Sequence, residues 1–288
     1  MRQKLTDEMG IYLLKKGYTV KSLTGTCFDI VARKGSTILL IKLLEDANSI
    51  SEDYALQMEK ISSYIKASSI IIAKKAGNLL DNYVVYARHG IYTLNMATFR
   101  SCVERKLPFV ASTHAGLVAR VVGQKLKEIR EREGVSLSAL SKKIGVSSRM
   151  AAKYEEGVAE ITVQRALKIY DIFGASVFDR IDVLSGKTRD LFSEAKSEFA
   201  KKYEDLGFNA SETRKVPFDI IAKMKKEIIL TEVGDKVNPQ VNSLARMIDA
   251  NNLVIFKNKK PKDIPSITRK EFLDFEKAEE LVKFIKEF

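Results

Sequence analysis

Residues 136–157, with the sequence SLSALSKKIGVSSRMAAKYEEG, predict two short helices joined by a tight turn. Ser136 precedes apolar residues at helical spacing, as a helix N-cap does, and Gly145 stands where the first helix must end in a left-handed conformation. Ser147 can cap a second helix after the turn. Two short helices joined by a glycine turn form a helix-turn-helix, whose second helix can lie in the major groove of DNA. The predicted inward residues are Leu137, Leu140, Ile144, Ala151 and Tyr154.

Three local features resemble the phage-repressor (Cro-like) helix-turn-helix family: the small Ser141 within the first helix, the Gly-Val-Ser turn at 145–147 and the Tyr-Glu-x-Gly ending at 154–157. The flanking sequences GQKLKEIREREG, TVQRALKIYDIFG and ASVFDRIDVL are similar to the preceding, following and closing fifth helices of that family, so the match covers residues 123–183. For the flanking helices we expect inward positions at Leu126, Ile129, Val163, Ala166, Leu167, Tyr170 and Phe173.

The resemblance implies that Ser148, Arg149 and Lys153 face base edges, and arginine is suited to bidentate contact with guanine. Helix N-termini bind anions, so the capping serines and first-turn amides are expected to bind phosphates, with further lysines and one arginine adding sequence-independent contacts. Met150, Ala151 and Ala152 make the DNA-facing side of this helix smaller and less polar than is usual in the family, which predicts modest sequence selectivity. The alternative is a helical bundle without a DNA partner. The candidate DNA-binding residues are Ser136, Ser147, Ser148, Arg149, Lys153, Lys142, Lys143, Lys125 and Arg165.

The composition is that of a folded protein with a polyanionic partner. At 288 residues, with 45% hydrophobic and 30% charged residues, the chain can form two or three domains. A net charge of +12 favours a polyanionic partner, because displaced counterions drive such binding, although a basic balance also occurs for solubility or for contact with acidic membranes. Residues 123–174 contain ten Lys or Arg and seven Asp or Glu, so most of the excess lies in the flanking regions. No apolar run reaches the length of a bilayer, so we expect no membrane partner.

The two cysteines, Cys27 and Cys102, form no CxxC pair and have no nearby histidine. This spacing argues against a zinc site, and it is typical of a protein in a reducing cytoplasm. The sequence contains no glycine-rich phosphate loop, and we expect neither a cofactor nor a metal.

The N-terminal region has an α/β pattern. Residues 4–16 predict a helix, GYTVKSL, FDIVAR and TILLIKLL predict strands, and ALQMEKISSYIKA and SSIIIAKK predict a helix and a buried strand. Asp29 opens the second strand and Lys42 lies on the third. This arrangement resembles the restriction-endonuclease-like core, shared with archaeal Holliday-junction resolvases, whose active members carry an Asp on one strand and a carboxylate-x-Lys motif on the next.

The catalytic pattern is incomplete in this region, because Leu40 stands where the second carboxylate is expected. Mg²⁺ requires several oxygen ligands held close together, and Glu8 on the first helix is the only upstream candidate we identify. The sequence therefore favours a degenerate nuclease fold that serves as a scaffold. A Mg²⁺-dependent, structure-specific nuclease directed to DNA by the helix-turn-helix is the alternative.

The C-terminal region repeats the N-terminal one. The segment that begins at Gly17 aligns without gaps onto the segment that begins at Gly207, and the pairs Asp29 with Asp219 and Leu40 with Leu230 keep the same offset. The helix KTRDLFSEAKSEFAKKYEDL precedes this copy, and NNLVIFKN aligns with SSIIIAKK. Glu232 replaces the lysine, and the pair Asp219 and Glu232 could bind a metal only weakly. Such carboxylates are more often solvated or paired with lysines such as Lys223 and Lys236.

The sequence thus predicts an α/β plus all-α fold, in which two restriction-endonuclease-like α/β domains flank a five-helix phage-repressor-like domain. The predicted boundaries are 1–106 and 185–288 for the flanking domains, 107–122 for a connecting β-hairpin and 123–184 for the helix-turn-helix domain. This layout resembles archaeal helix-turn-helix transcriptional regulators. The resemblance implies a DNA-binding regulator without enzyme activity, binding double-stranded DNA with helix 148–156. We expect a homodimer on a palindromic site, formed through the flanking domains. A protein-binding adaptor for the transcription machinery is the second alternative.

Overall fold

The computed structural model describes residues 2–186, 191 and 195–288. Residues 187–190 and 192–194 of the helix predicted at 187–206 lie outside the described residues. Residues 195–197 are not helical, so the prediction is wrong there, and Ser197 instead caps a helix at Glu198–Asp205. The chain divides into two compact units. The first unit comprises residues 1–44, 48–71 and 184–288, and the second comprises 45–47 and 72–183.

The described helices are α1 (Arg2–Lys15), α2 (Glu52–Ile65), α3 (Met96–Val103), α4 (Gly123–Arg132), α5 (Leu137–Ile144), α6 (Ser148–Glu155), α7 (Val163–Phe173), α8 (Glu198–Asp205), α9 (Pro239–Met247), α10 (Arg269–Asp274) and α11 (Ala278–Lys286). The described strands are β1 (Thr19–Ser22), β2 (Ile30–Lys34), β3 (Thr37–Asp46), β4 (Ser68–Ala76), β5 (Asn78–Leu79), β6 (Val84–Arg88), β7 (Ile91–Leu94), β8 (Val110–Thr113), β9 (Gly116–Ala119), β10 (Ile161–Thr162), β11 (Asn209–Glu212), β12 (Ile220–Met224), β13 (Glu227–Val233), β14 (Asn251–Phe256) and β15 (Ser266–Thr268). Short 3₁₀ turns occur at Ala47–Ser49 and Ala175–Val177. Among the described residues, no helix is both long enough and apolar enough to cross a membrane.

In the first unit, each of two sheets begins with three antiparallel strands. Strands β1, β2 and β3 pair in that order, and β11, β12 and β13 pair in the same way before the parallel strands β14 and β15 follow. The registers also match at an offset of 190, since Val31 faces Leu40 and Ile221 faces Leu230. The amide of Asp29 donates to a carbonyl of β3 at 2.8 Å, and that of Asp219 donates to a carbonyl of β13 at 2.9 Å. The aligned sequences therefore form the same local backbone structure.

The first unit also contains a pair of equivalent contacts between its N-terminal and C-terminal parts. Arg33 Nη1 donates to the carbonyl of Met247 at the end of α9, at 2.9 Å. Lys223, which aligns with Arg33, donates through Nζ to the carbonyl of Tyr64 at the end of α2, at 2.5 Å. The Tyr64 hydroxyl in turn donates to Ser211 Oγ at 2.9 Å. Each part thus places a cation against the negative end of a helix in the other part.

The second unit contains the helix-turn-helix. Strands β8 and β9 form an antiparallel hairpin around residues 113–116, where the sequence predicts one, and β9 also pairs with β10 at the start of α7. Helices α4 to α7 surround a core that includes Leu126, Leu140 and Tyr154.

The predicted fifth helix is wrong. Gly174 ends α7 with a φ of 73°, and only the 3₁₀ turn Ala175–Val177 follows. Phe178 is extended, pairs with Val121 as an isolated β-bridge and stacks on Phe109 with ring centroids 4.5 Å apart. The aromatic contact and the bridge hold this segment in an extended conformation, so the helical part of the domain has four α-helices among the described residues.

Candidate nucleic-acid interface

The two helix N-caps of the helix-turn-helix form as the sequence predicts. Ser136 Oγ accepts a hydrogen bond from the amide of Ala139 at 3.1 Å, and Ser147 Oγ accepts one from Met150 at 3.2 Å. Gly145 ends α5 with a φ of 75°, the left-handed conformation that glycine adopts without steric cost. A phosphate at either N-terminus would therefore meet the remaining first-turn amides, because one amide is already bound by the serine hydroxyl.

Helix α6 presents two cations on its outward face. Ala151 and Tyr154 are buried against the core, whereas Arg149 and Lys153 are exposed and lie one turn apart. Neither cation forms an ion pair with any described residue. Ser148 is exposed, but its Oγ lies 3.3 Å from that of Ser141 on α5. The arginine and the lysine are consequently the groups on this helix that are available to bind another molecule.

A buried ion pair links α4 to the C-terminal end of α6. Arg130 donates to both carboxylate oxygens of Glu155, with Nη2 at 2.9 Å from Oε2 and Nε at 2.5 Å from Oε1, and Nη1 donates to the carbonyl of Val135 at 2.9 Å. Both side chains are less than a tenth exposed. The hydrogen bond to Glu155 raises the pKa of Arg130. Bidentate geometry fixes orientation as well as distance, so this pair sets the position of α6. No pattern in the sequence indicates this pair.

A close approach of backbones fixes the same two helices. A Cβ on Gly123 would lie 2.3 Å from the carbonyl oxygen of Glu155 and 2.8 Å from the amide nitrogen of Gly157. Real Cβ atoms do not approach backbone atoms this closely, so the start of α4 requires glycine. The requirement comes from packing, because the φ of Gly123 is not positive.

The remaining predicted contacts differ in their surroundings. Lys125, Lys142 and Lys143 are exposed on α4 and α5, whereas Arg165 is half-buried and lines an open cleft with residues of the β8–β9 hairpin. Lys168 on α7, which the sequence did not single out, extends toward the turn: a Cβ at Gly145 would lie 3.6 Å from its Nζ. Lys168 is therefore an additional candidate for a phosphate contact, and only the packing of α7 against the turn reveals it.

Two residues predicted to point inward are exposed. Leu167 is 56% and Tyr170 is 45% exposed, while Ala166, Ile169 and Phe173 form the buried stripe of α7. Helical spacing from Ala166 allows both Ile169 and Tyr170 to point inward, so the width of the buried stripe is set by the elements that pack against α7 and not by the spacing. Tyr170 instead stacks on Phe109, with ring centroids 6.5 Å apart.

In the nuclease-like motif of the N-terminal region, Asp29 and Lys42 bind each other and neighbouring backbone groups. Lys42 Nζ lies 3.3 Å from Asp29 Oδ1 and donates to the carbonyl of Thr26 at 2.9 Å, while the amide of Leu43 donates to Asp29 Oδ2 at 2.8 Å. Asp29 and Lys42 are buried, and Leu40 beside them is fully buried. A single carboxylate already engaged by a lysine and an amide does not fit Mg²⁺, which needs several free oxygen ligands. Glu8 is exposed on α1.

In the C-terminal region, the residues equivalent to Asp29 and Lys42 are Asp219 and Glu232, and they do not form an ion pair. Asp219 is exposed and accepts the amide of Val233 at 2.7 Å, matching the bond between Leu43 and Asp29. Glu232 is 3% exposed, and its Oε1 accepts the amide of Asn238 at 2.6 Å. Its Oε2 is buried near the side-chain amide of Asn252. Burial raises the pKa of Glu232 to about 7, against the lowering effect of the Asn238 and Asn252 amides. Glu232 is therefore buried and not solvated, contrary to the sequence-based expectation. The described residues contain no cluster of three or more His, Cys, Asp or Glu side chains arranged to bind a metal.

Comparison with known proteins agrees with both resemblances. A family model described as a PD-(D/E)XK superfamily domain matches residues 2–108, and one described as a helix-turn-helix matches residues 126–179. No solved structure matches the chain.

Proteins of similar length match the chain from end to end. A protein of Archaeoglobus fulgidus with the name "Putative HTH-type transcriptional regulatory protein" is 32% identical over all of this chain and 98% of its own length. Proteins with the same description from Methanocaldococcus jannaschii and Thermococcus gammatolerans are 31% and 27% identical, and each match covers 99% of this chain and at least 96% of the relative. The chain belongs to this family of archaeal HTH-type transcriptional regulatory proteins.

Proposed function

We propose that this protein regulates transcription by binding double-stranded DNA, with α6 in the major groove. The observation that carries the proposal is the presence of two cations, Arg149 and Lys153, on the outward face of a helix whose position is set by Arg130 and Glu155. Neither cation is neutralised by a described residue. The names of the relatives and the helix-turn-helix match support the proposal.

The side chains of this interface divide into two roles. Arg149 and Lys153 contact base edges, and the guanidinium of Arg149 is suited to the two acceptors of guanine. Ser148 contributes less than its neighbours, because its hydroxyl is directed toward Ser141. The first-turn amides capped by Ser136 and Ser147, together with Lys125, Lys142, Lys143, Arg165 and Lys168, bind phosphates and confer no sequence preference.

The nuclease-like regions serve as scaffold. In the N-terminal region the ion pair of Asp29 with Lys42 and the buried Leu40 support the absence of cleavage. We also infer that residues 185–288 are a second, degenerate copy of the same domain. The matching strand register at an offset of 190 supports this inference, as does the shared backbone bond to the aspartate from Leu43 and from Val233.

We propose a homodimer, which places two copies of α6 on the half-sites of a palindrome. The surface formed by Arg33, Lys223 and the ends of α2 and α9 is occupied within each chain. The dimer therefore uses another surface. A monomeric mass in solution, both alone and with a selected operator duplex, would contradict this arrangement.

The test is a titration of the full chain against random and selected genomic duplexes at several salt concentrations, with and without Mg²⁺. Arg149→Ala and Lys153→Ala are compared with Lys143→Ala, which removes the same charge from a phosphate-contacting position. We expect Arg149→Ala to reduce discrimination between preferred and random DNA by roughly 1–3 kcal/mol. Lys143→Ala is expected to weaken binding to all sequences equally.

Two results would contradict the proposal. One is an unchanged sequence preference in both α6 variants, which would favour a protein partner over DNA. The other is Mg²⁺-dependent cleavage of the duplex that is abolished in Asp29→Ala, which would make the N-terminal region an enzyme.

A further inference from the structure

The loop between β14 and β15 concentrates exposed positive charge. Residues 257–262, KNKKPK, are called the basic loop here. All four of its lysines are exposed, as is Lys236 on the neighbouring loop after β13. Among the described residues none of these five lysines forms an ion pair. Two carboxylates lie near the loop. Glu271 accepts hydrogen bonds from the amide and hydroxyl of Thr268 at 2.7 and 2.8 Å, which lower its pKa, and it is close enough to Lys260 for that lysine to lower its pKa further; Asp263 follows the loop directly.

The backbone of the basic loop is held by one carboxylate. Asp235 Oδ1 accepts the amides of Lys257, Asn258 and Lys259 at 2.8, 2.9 and 3.3 Å, and Oδ2 accepts Asn258 Nδ2 at 3.2 Å. These amides lower the pKa of Asp235 to about 2. The carboxylate is thus directed at the backbone and not at the ammonium groups. An ordered loop presents its lysines at lower entropic cost than a flexible one.

The aligned position in the N-terminal region has the opposite arrangement. Lys74, which aligns with Lys257, lies 3.6 Å from Glu45, and Lys75 lies 3.9 Å from Asp46. There each lysine lies within ion-pair distance of an acidic side chain, although both pairs are exposed to water. The excess positive charge of the basic loop is therefore not a general property of lysines at the ends of these strands.

We propose that the basic loop, with Lys236, binds the phosphate backbone of DNA and forms a second, sequence-independent contact surface outside the helix-turn-helix. This inference rests on the DNA-binding function proposed above and assigns part of its affinity to the first unit. Ammonium groups act as point charges toward phosphate, and duplex DNA presents one negative charge about every 1.7 Å along its axis. Several lysines within six residues can therefore contact consecutive phosphates.

The experiment measures the salt dependence of DNA binding by the full chain. Lys259→Gln/Lys260→Gln is compared with Lys74→Gln/Lys75→Gln, which removes two lysines that each have an acidic side chain within ion-pair distance. For the basic-loop variant, the slope of log K against log salt is expected to fall by about 1 for each phosphate that is no longer neutralised, with sequence preference unchanged. The control variant is expected to retain the wild-type slope.

A second readout locates the bound phosphates directly. Amine acetylation followed by mass spectrometry should show the four loop lysines protected when a saturating duplex is present, and Lys74 and Lys75 unprotected. An unchanged salt slope together with unprotected loop lysines would overturn the inference. If Arg149 still governs sequence preference in that case, only the inference fails. Failure of the wild-type chain to bind DNA at all would overturn the proposed function as well.

Discussion

Replacing Glu232 by Gln is expected to stabilise the first unit, and to do so more strongly as the pH rises. Glu232 is 3% exposed, its Oε1 accepts the amide of Asn238, and the side-chain amide of Asn252 lies near the carboxylate. Glutamine has the same shape and can keep the bond to Asn238 through its carbonyl oxygen, while its NH2 group can donate to Asn252 Oδ1, which otherwise has no partner among the described atoms. The substitution therefore removes the charge and keeps the hydrogen bond.

The size of the effect follows from the pKa of Glu232, which burial raises from an ordinary value of 4.5 to about 7. Below pH 4.5 the carboxyl is protonated in both the folded and unfolded states, so its charge costs nothing. As the pH rises from 4.5 to 7, the unfolded state releases the proton and the folded state retains it, so the folded state loses stability. The full penalty, present above pH 7, is about 3 kcal/mol at about 1.4 kcal/mol per pKa unit.

The assay is urea unfolding of the wild type and Glu232→Gln at acidic and mildly alkaline pH. Glu276→Gln, an exposed position in the same unit, is the matched control. The Glu232→Gln variant should exceed the wild type in free energy of unfolding by about 3 kcal/mol at pH 8, and this advantage should become small near pH 4.5. An advantage that does not change with pH would refute the reasoning, because it would show that the carboxyl titrates alike in both states.

Two further predictions concern the position of α6. Arg130→Met leaves Glu155 buried without its partner, so we expect the free energy of unfolding, measured with heat or urea, to fall by about 3–5 kcal/mol. Arg132→Met is the control: Arg132 is 71% exposed and pairs with Glu133, so its loss should cost less than about 1 kcal/mol. Equal losses would contradict the role of the buried pair. Gly123→Ala forces a Cβ against the backbone of Glu155 and should cost roughly 1–3 kcal/mol and reduce sequence preference for DNA. Gly134→Ala is the control. Its Cβ would meet no atom, but the φ of 65° is unfavourable for alanine, so the substitution should lower the free energy of unfolding by about 1 kcal/mol and leave DNA binding intact. Unchanged DNA binding in Gly123→Ala would show that α4 does not position α6.

The local features of the interface were predictable from sequence because neighbouring residues decide them. Ser136 and Ser147 cap their helices, and Gly145 takes the left-handed conformation, each within one turn of chain. The matching register of the two sheets also agrees with the sequence alignment at a constant offset. Ala151 and Tyr154 point inward because helical spacing places them on one face.

Contacts between distant residues were not predictable, because no local signal marks them. Arg130 and Glu155 each look like ordinary surface charges until packing brings α4 against α6 and removes both from water. Leu167 and Tyr170 were assigned inward from hydrophobicity, yet the width of the buried face of α7 is set by its neighbours. The segment after Gly174 has a helical appearance in sequence, but its contacts with Val121 and Phe109 keep Phe178 extended.

The sequence by itself determined the kind of protein: the helix-turn-helix, the missing carboxylate at Leu40 and the repeated strand pattern all depend on residue type and spacing. Only the tertiary structure decided which group each charged side chain contacts. It pairs Lys42 with Asp29, opposes Arg33 and Lys223 to helix ends, and directs Asp235 to the backbone of the basic loop. The physical reason is that electrostatic free energy depends on distance and burial, and neither quantity is defined until the chain has folded.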